Sequence, residues 1–193
     1  MKLIIASNNK HKIYEIKKIL GSRFEEILSM REAGIEHETV EDGKTFLENA
    51  EKKAREICEI SGCPALADDS GICVDALGGA PGIYSARFSA EHGGNGDDEA
   101  NNDLLLSKLE GVEDRSAHYT CAMFIAYPDG SSVSAEGYMY GSITHTRIGT
   151  GGFGYDPLFR PAGEERTVGQ MTDDEKNRIS HRAKALEALL EKL

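Results

Sequence analysis

Two adjacent carboxylates, Asp68 and Asp69, follow directly on the apolar run Cys63-Pro64-Ala65-Leu66-Ala67, and Ile72-Cys73-Val74 resumes that run after Ser70 and Gly71. Few arrangements can bring two charges into an apolar run, because an unpaired buried carboxylate is costly. Asp, Ser and Gly are turn formers. The stretch therefore predicts a strand that stops, shows its carboxylates in a tight turn at the mouth of a cleft, and restarts. Taken alone it favours an ordinary acidic turn, and the rest of the chain must decide between the two.

The chain has 193 residues, a length that suits one domain or one domain with two lobes (residues 1–193). The formal net charge of -11 opposes an indiscriminate nucleic-acid binder, which needs basic patches, but allows a small anion held by a few local cations. The four cysteines, Cys58, Cys63, Cys73 and Cys121, form no CxxC pair and have no histidine cluster beside them. A zinc site is not expected, and the thiols read as reduced core residues. No run approaches the roughly 20 apolar residues that span a bilayer. The N-terminus turns polar at Ser7, too early for a signal-peptide core. The expectation is a cytoplasmic protein with no membrane partner.

In chain order, Lys2-Leu3-Ile4-Ile5-Ala6 reads as a buried strand and Ile13, Ile16, Ile19 and Leu20 as the stripe of a helix closed by Gly21. Ser7-Asn8-Asn9-Lys10-His11-Lys12 then occupies a strand–loop–helix corner. Free backbone N–H groups and the positive end of the helix dipole make such a corner an anion site, and Lys10 and Lys12 add charge. The plainer reading is a helix N-cap with solvated lysines. Residues 24–40 read as an irregular passage leading into the acidic turn 36–43, which contains Glu38 and Glu41. Thr45 and Glu48 predict a capping box for a helix whose buried face is Phe46, Leu47, Ala50, Ala54, Ile57 and Cys58, ending at Gly62. Another helix starts at Asp97 or Asp98 and carries Leu104, Leu105 and Leu109. Residues 118–127 and 131–138 predict a hairpin across Pro128-Asp129-Gly130, and 141–144 a further short strand.

Four glycines crowd into Gly149-Thr150-Gly151-Gly152-Phe153-Gly154-Tyr155-Asp156. Such a run costs backbone entropy unless unusual dihedrals or a close approach need it. A ring on a glycine hinge suits base stacking, although a tight bend packing two aromatics would look the same. A second capping box, Thr172 with Glu175, opens one final helix with Ile179, Ala183, Leu186, Leu190 and Leu193 on its core stripe. That helix concentrates Lys176, Arg178, Arg182 and Lys184 in an acidic protein.

A cationic corner, two acidic turns, a glycine–aromatic loop and a basic helix are the parts of a nucleoside triphosphate site with a divalent cation. In its motifs the chain resembles the inosine/xanthosine triphosphate pyrophosphatase family. The resemblance rests on Ser7-x-Asn9-x-x-Lys12, Gly43-x-Thr45-Phe46-x-Glu48-Asn49-Ala50, Ala67-Asp68-Asp69-Ser70-Gly71, Gly79-Ala80-Pro81-Gly82-Ile83-Tyr84-Ser85-Ala86-Arg87, Gly152-Phe153-Gly154-Tyr155-Asp156-Pro157 and Glu175-Lys176-Asn177-x-Ile179-Ser180-His181-Arg182, in this order along the whole chain.

The resemblance implies an α/β fold: a long mixed β-sheet flanked by helices, in two lobes with a central cleft. It implies a homodimeric, Mg²⁺-dependent enzyme that hydrolyses ITP, dITP and XTP to the monophosphate and pyrophosphate. Ser7, Asn9 and Lys12 would hold the triphosphate, with Asn8, Lys10 and His11 at the same corner. Asp69 would be the general base and a metal ligand, with Asp68 in support. The second metal ligand would come from the acidic turn, as Glu41 or Glu38, with Glu41 preferred. Ser70 would position the substrate and Phe153 would stack on the base. Gly154, Tyr155, Asp156, Lys176, His181 and Arg182 would complete nucleotide recognition. The rival readings are a pyrophosphatase for another modified nucleotide and a catalytically silent nucleotide-binding regulator.

Overall fold

The computed structural model of the chain describes residues 2–21 and 23–193. Strand β1 (Lys2–Ile5) is followed by α1 (Lys10–Leu20), the short strand β2 (Glu26–Ser29), α2 (Phe46–Ser61) and β3 (Ala65–Val74). Then come α3 (Asp98–Lys108), β4 (Ser116–Ala126), β5 (Ser132–Ile143), β6 (Phe159–Pro161), α4 (Asp173–Ile179) and α5 (His181–Leu190). Among the described residues six strands form one mixed sheet in the order β2-β1-β3-β4-β5-β6. β1 pairs in parallel with β2 and β3, and β5 pairs antiparallel with β6.

The helix starts are set by side chains that accept orphan N–H groups. Asn9 caps α1 by accepting from the N–H groups of His11 and Lys12 at 3.0 and 3.2 Å. Thr45 caps α2 through Glu48 N–H at 3.1 Å. The Glu48 carboxylate takes Lys44 N–H at 2.6 Å instead of closing the predicted box on Thr45. Thr172 and Glu175 close a complete capping box on α4. Arg166 and Thr172 hold the Glu175 carboxyl down at about 2.

The chain divides into two compact units. The first runs to Asp69 and adds Cys121–Gly137 and His181–Leu193; the second comprises Ser70–Thr120 and Tyr138–Ser180. In the first unit the sheet has helices on both faces. Leu3, Ile5 and Leu66 pack with Ile16 and Leu20 of α1 and Leu186 and Leu189 of α5. Ile4, Ala65 and Ala67 pack on the other face with Ala50, Ala54 and Ile57 of α2. Alternate residues of one strand thus serve two cores, as the pleat requires. Gly137 lets β5 approach α5, since a Cβ there would collide with backbone atoms of His181 and Ala185. In the second unit Ile72, Leu105, Tyr119, Phe159 and Leu158 belong to one separate core.

Three expectations are corrected. The residues Asp68-Asp69-Ser70-Gly71 are not a turn, because β3 runs unbroken from Ala65 to Val74. Local turn propensity lost to ion pairs from distant segments, which keep both carboxylates within the strand. The final helix is two helices: Ser180 is extended (φ -66°, ψ 151°) and separates α4 from α5. The separate strand at 141–144 is instead the end of β5, which continues to Ile143.

Candidate active site

The first unit places the cationic corner beside the paired carboxylates. Residues 6–9 link β1 to α1, with Asn8, Asn9, Lys10 and His11 exposed and Ser7 and Lys12 half-buried. Ser7 Oγ accepts Asn9 N–H at 3.2 Å, and Asn9 in turn caps the helix. The cap thus occupies the N–H groups of His11 and Lys12, and Ser7 occupies that of Asn9. The two lysines separate: Lys10 is exposed, whereas Lys12 turns inward and pairs with Asp68 at 3.1 Å.

Asp68 is the centre of a buried charge network. The Arg182 guanidinium, on α5, donates to Asp68 Oδ2 through Nη2 at 3.1 Å and Nε at 3.3 Å. Its Nη1 pairs with Glu15 of α1. Cys121 Sγ lies 4.0 Å from the same Asp68 oxygen. Burial alone would raise the Asp68 pKa, but Lys12, Arg182 and Lys53 outweigh it, and the carboxyl is held well below its ordinary range. The shared negative field raises the Arg182 pKa against its burial and adds to the burial that already pushes the Cys121 thiol up.

Asp69 points to the opposite face of β3, toward α2. Asn49 and Lys53 of α2 lie one turn apart, so they share a helix face. They take one carboxylate oxygen each: Asn49 Nδ2 donates to Oδ2 at 3.0 Å, and Lys53 Nζ lies 3.7 Å from Oδ1. Lys53 also pairs with Glu41 at 2.7 Å. Burial raises the Asp69 pKa, and the opposing pull of Lys53 and Lys12 does not bring it back to the ordinary value. Lys53 is half-buried, which alone would lower its pKa, yet Asp69, Asp68 and Glu41 raise it.

Among the described residues no three His, Cys, Asp or Glu side chains converge as a ready-made metal cage. Asp69 and Glu41 are instead two carboxylates bridged by the Lys53 ammonium. That donor set fits Mg²⁺, which binds through one or two carboxylates and takes its remaining ligands from water and phosphate. Glu38 is exposed, and its neighbours His37 and Thr39 turn to Glu56 at 2.7 and 2.6 Å.

The second unit builds the glycine–aromatic loop. Asp156 is buried and organises it: Oδ2 accepts Phe153 N–H at 2.9 Å and the Lys176 ammonium at 2.8 Å, and Oδ1 accepts Tyr119 O–H at 3.4 Å. Gly152 adopts φ +73°, and a Cβ there would run into the Asp156 carboxyl. Lys176 Nζ sits 4.2 Å from the centre of the Phe153 ring, so one ammonium serves a carboxylate and a π face. Asp98 accepts Gly154 N–H at 2.8 Å, and Asn102 donates to Gly154 O at 2.9 Å. The Tyr155 side chain turns into the core, where its hydroxyl donates to Ser85 O at 2.7 Å. Phe153 stays half-buried.

Sequence reasoning missed Asn49, Lys53 and Glu15. A faint signal existed: Lys53 and Asn49 are polar residues on the Ala50-Ala54-Ile57 side of α2, where a solvated residue does not belong. Of the four cations concentrated near the C-terminus, Lys176 and Arg182 are buried in ion pairs.

Residues 3–192 match the model of the Ham1 family. The chain belongs to the Ham1 family. Curated relatives of this Ham1-family chain include proteins named dITP/XTP pyrophosphatase. The one from Clostridium perfringens is 48% identical over 200 residues, covering 100% of this chain and 97% of the relative. The one from Streptomyces coelicolor is 46% identical over 203 residues, covering 98% and 95%. The fold is equally shared. The Ham1 protein of Staphylococcus aureus superimposes with a TM-score of 0.87 at 37% identity, over 100% of this chain and 99% of that one. The HAM1 protein of Coxiella burnetii gives 0.89 at 35% identity over the whole of both chains.

Proposed function

We propose that this Ham1-family chain hydrolyses ITP, dITP and XTP to the nucleoside monophosphate and pyrophosphate, removing deaminated purines from the nucleotide pool. One observation carries the reading: Asp69, with a raised pKa, shares the half-buried Lys53 ammonium with Glu41 on one side of a strand whose preceding residue, Asp68, pins Lys12. The relatives named dITP/XTP pyrophosphatase supply the substrate class.

In this reading the triphosphate lies at the corner before α1, at the positive end of its dipole, with Ser7, Asn9 and Lys12 as partners and Asn8, Lys10 and His11 at the rim. Asp69 orients water toward the α-phosphorus and accepts its proton as the new P–O bond forms and the bond to pyrophosphate breaks. A carboxyl with a raised pKa takes that proton more readily than an ordinary one. Asp69 and Glu41 would hold Mg²⁺, which supplies charge screening for the triphosphate and for the leaving pyrophosphate. Lys53 keeps these two carboxylates from repelling each other. Positioning and fixed charge provide most of the rate in such transfers.

Phe153 stacks on the base while Asp156 and Lys176 fix its loop, and Gly154 and Tyr155 shape it. Ser70 positions the substrate. The 6-oxo group of hypoxanthine or xanthine accepts a hydrogen bond where the 6-amino group of adenine donates. A donor from His181 therefore favours the deaminated base, and Arg182 supports it by fixing Asp68 and α5. A polar mismatch of this kind can reach about 10⁴-fold. The reading also includes a homodimer working in the cytoplasm; no described helix is long and apolar enough to cross a membrane.

The test is product analysis with ITP and Mg²⁺. IMP and pyrophosphate in equal amounts are expected, whereas IDP and orthophosphate would overturn the cleavage position. In the same assay Phe153→Ala should raise KM for ITP about tenfold, since base–aromatic stacking contributes about 1–3 kcal/mol. An unchanged KM would remove Phe153 from the base site.

A further inference from the structure

Asn49 is almost wholly buried, at 1% exposure, on the face of α2 that meets β3. Its amide makes two bonds in opposite directions. Oδ1 accepts Gly43 N–H at 2.8 Å, and Nδ2 donates to Asp69 Oδ2 at 3.0 Å. These partners fix the amide orientation, since the flipped group would face a donor to a donor and an acceptor to an acceptor. Gly43 comes close enough only because it lacks a side chain. A Cβ there would lie 2.6 Å from Asn49 Oδ1 and 2.9 Å from Glu48 Cβ.

These contacts close a ring. Gly43 lies two residues beyond Glu41, Glu41 holds Lys53, and Lys53 lies on the Asp69 oxygen that Asn49 does not take. One turn of α2 therefore grips both carboxylates: Asn49 holds Asp69 directly and the Glu41 segment through its backbone, and Lys53 spans the two side chains. The neutral amide is suited to this. It fixes the rotamer of Asp69 without adding a second charge beside Lys53, and it leaves Oδ1 on the lysine side.

From this geometry we infer that Asn49 is a positioning residue, whose amide sets the orientation of Asp69 and the placement of Glu41 relative to it. The inference rests on the reading above, in which those two carboxylates act on the triphosphate. Groups that orient acting carboxylates lower activity by about 10- to 100-fold when removed.

Two near-isosteric variants separate the arms of the amide. Asn49→Asp keeps the acceptor for Gly43 N–H and sets a second carboxyl against Asp69 in place of the amide donor, whereas Asn49→Leu loses both arms with no change of charge. Both should lower kcat for ITP by about 10- to 100-fold per folded molecule, with the folded fraction counted by circular dichroism, while KM stays within about threefold. In the metal-free protein without nucleotide, hydrogen exchange of the Gly43 amide should quicken in Asn49→Leu and stay slow in Asn49→Asp. Parental kcat in Asn49→Leu would overturn the inference, as would unchanged Gly43 exchange in that variant. If the parental protein released no pyrophosphate, or Asp69→Asn kept parental turnover, the functional reading would fall instead. The Gly43 exchange would still report whether the fork exists.

Discussion

Asp68 and Asp69 are neighbours on one strand, yet they face different worlds. Asp68 looks toward α1 and α5 and meets two full cations, Lys12 and Arg182, with Glu15 balancing the arginine. Asp69 looks toward α2 and meets a neutral amide and one lysine already shared with Glu41. The pleat turns successive side chains to opposite faces, so one peptide bond separates a surplus of positive charge from a near balance. Burial raises both carboxyls. On the first face the cations overcome it and Asp68 is locked as an anion; on the second they do not, and Asp69 retains a raised proton affinity. A fixed anion suits a scaffold, and a carboxyl able to take up a proton suits a base.

The sharpest break of this contrast is Asp69→Asn. It should lower turnover of ITP by about 10² to 10⁴-fold, the range that a positioned general base contributes, with the fold retained. Pyrophosphate release measures it, and near-parental turnover would reject the role.

Asp68→Asn should instead act on stability. Removing one partner of a buried pair leaves an uncompensated charge, here on Arg182, and costs about 3–5 kcal/mol. Urea unfolding would show this, and a change below about 1 kcal/mol would count against the network. The pH dependence has a definite sign. A carboxyl with a lowered folded pKa stabilises the protein above its ordinary value of 3.8, and that contribution is lost as pH falls below it. The gap between parent and Asp68→Asn should therefore narrow as the pH drops below 3.8.

Lys53→Met tests the other face. Lys53 pulls the Asp69 pKa down, so its loss should move the acidic limb of the pH–rate profile upward. An unmoved or lowered limb would contradict the pairing. The smallest effect belongs to Glu38→Gln, which should leave turnover within about twofold of the parent, because Glu38 is exposed and Lys53 pairs with Glu41. Glu41→Gln, by comparison, should lower it by about 10- to 100-fold. The reverse order in the same turnover assay would restore Glu38 as the metal-side carboxylate.

Much of this was legible in the residues themselves. Caps and stripes are local, so α1, α2 and α3 follow from the polar residues before them and the apolar spacing behind those, while the structure puts the caps of α1 and α3 on Asn9 rather than Asn8 and on Asp97 rather than Asp98. The order of motifs along the chain carried the family. The break at Ser180 was not legible, because no glycine or proline marks it and the residue is wholly buried. Nor was the strand through Asp68 and Asp69, where local chemistry favours a turn.

Residue types and spacing determined which groups could carry the chemistry, since a carboxylate, a lysine or a glycine keeps its chemistry wherever the chain puts it. Tertiary structure alone decided what each carboxylate does. Lys12, Arg182, Lys53 and Asn49 are 56, 114, 16 and 20 positions from the aspartate they touch. The charge state of a buried carboxyl is set by the groups within a few ångströms of it, and a sequence does not list distances.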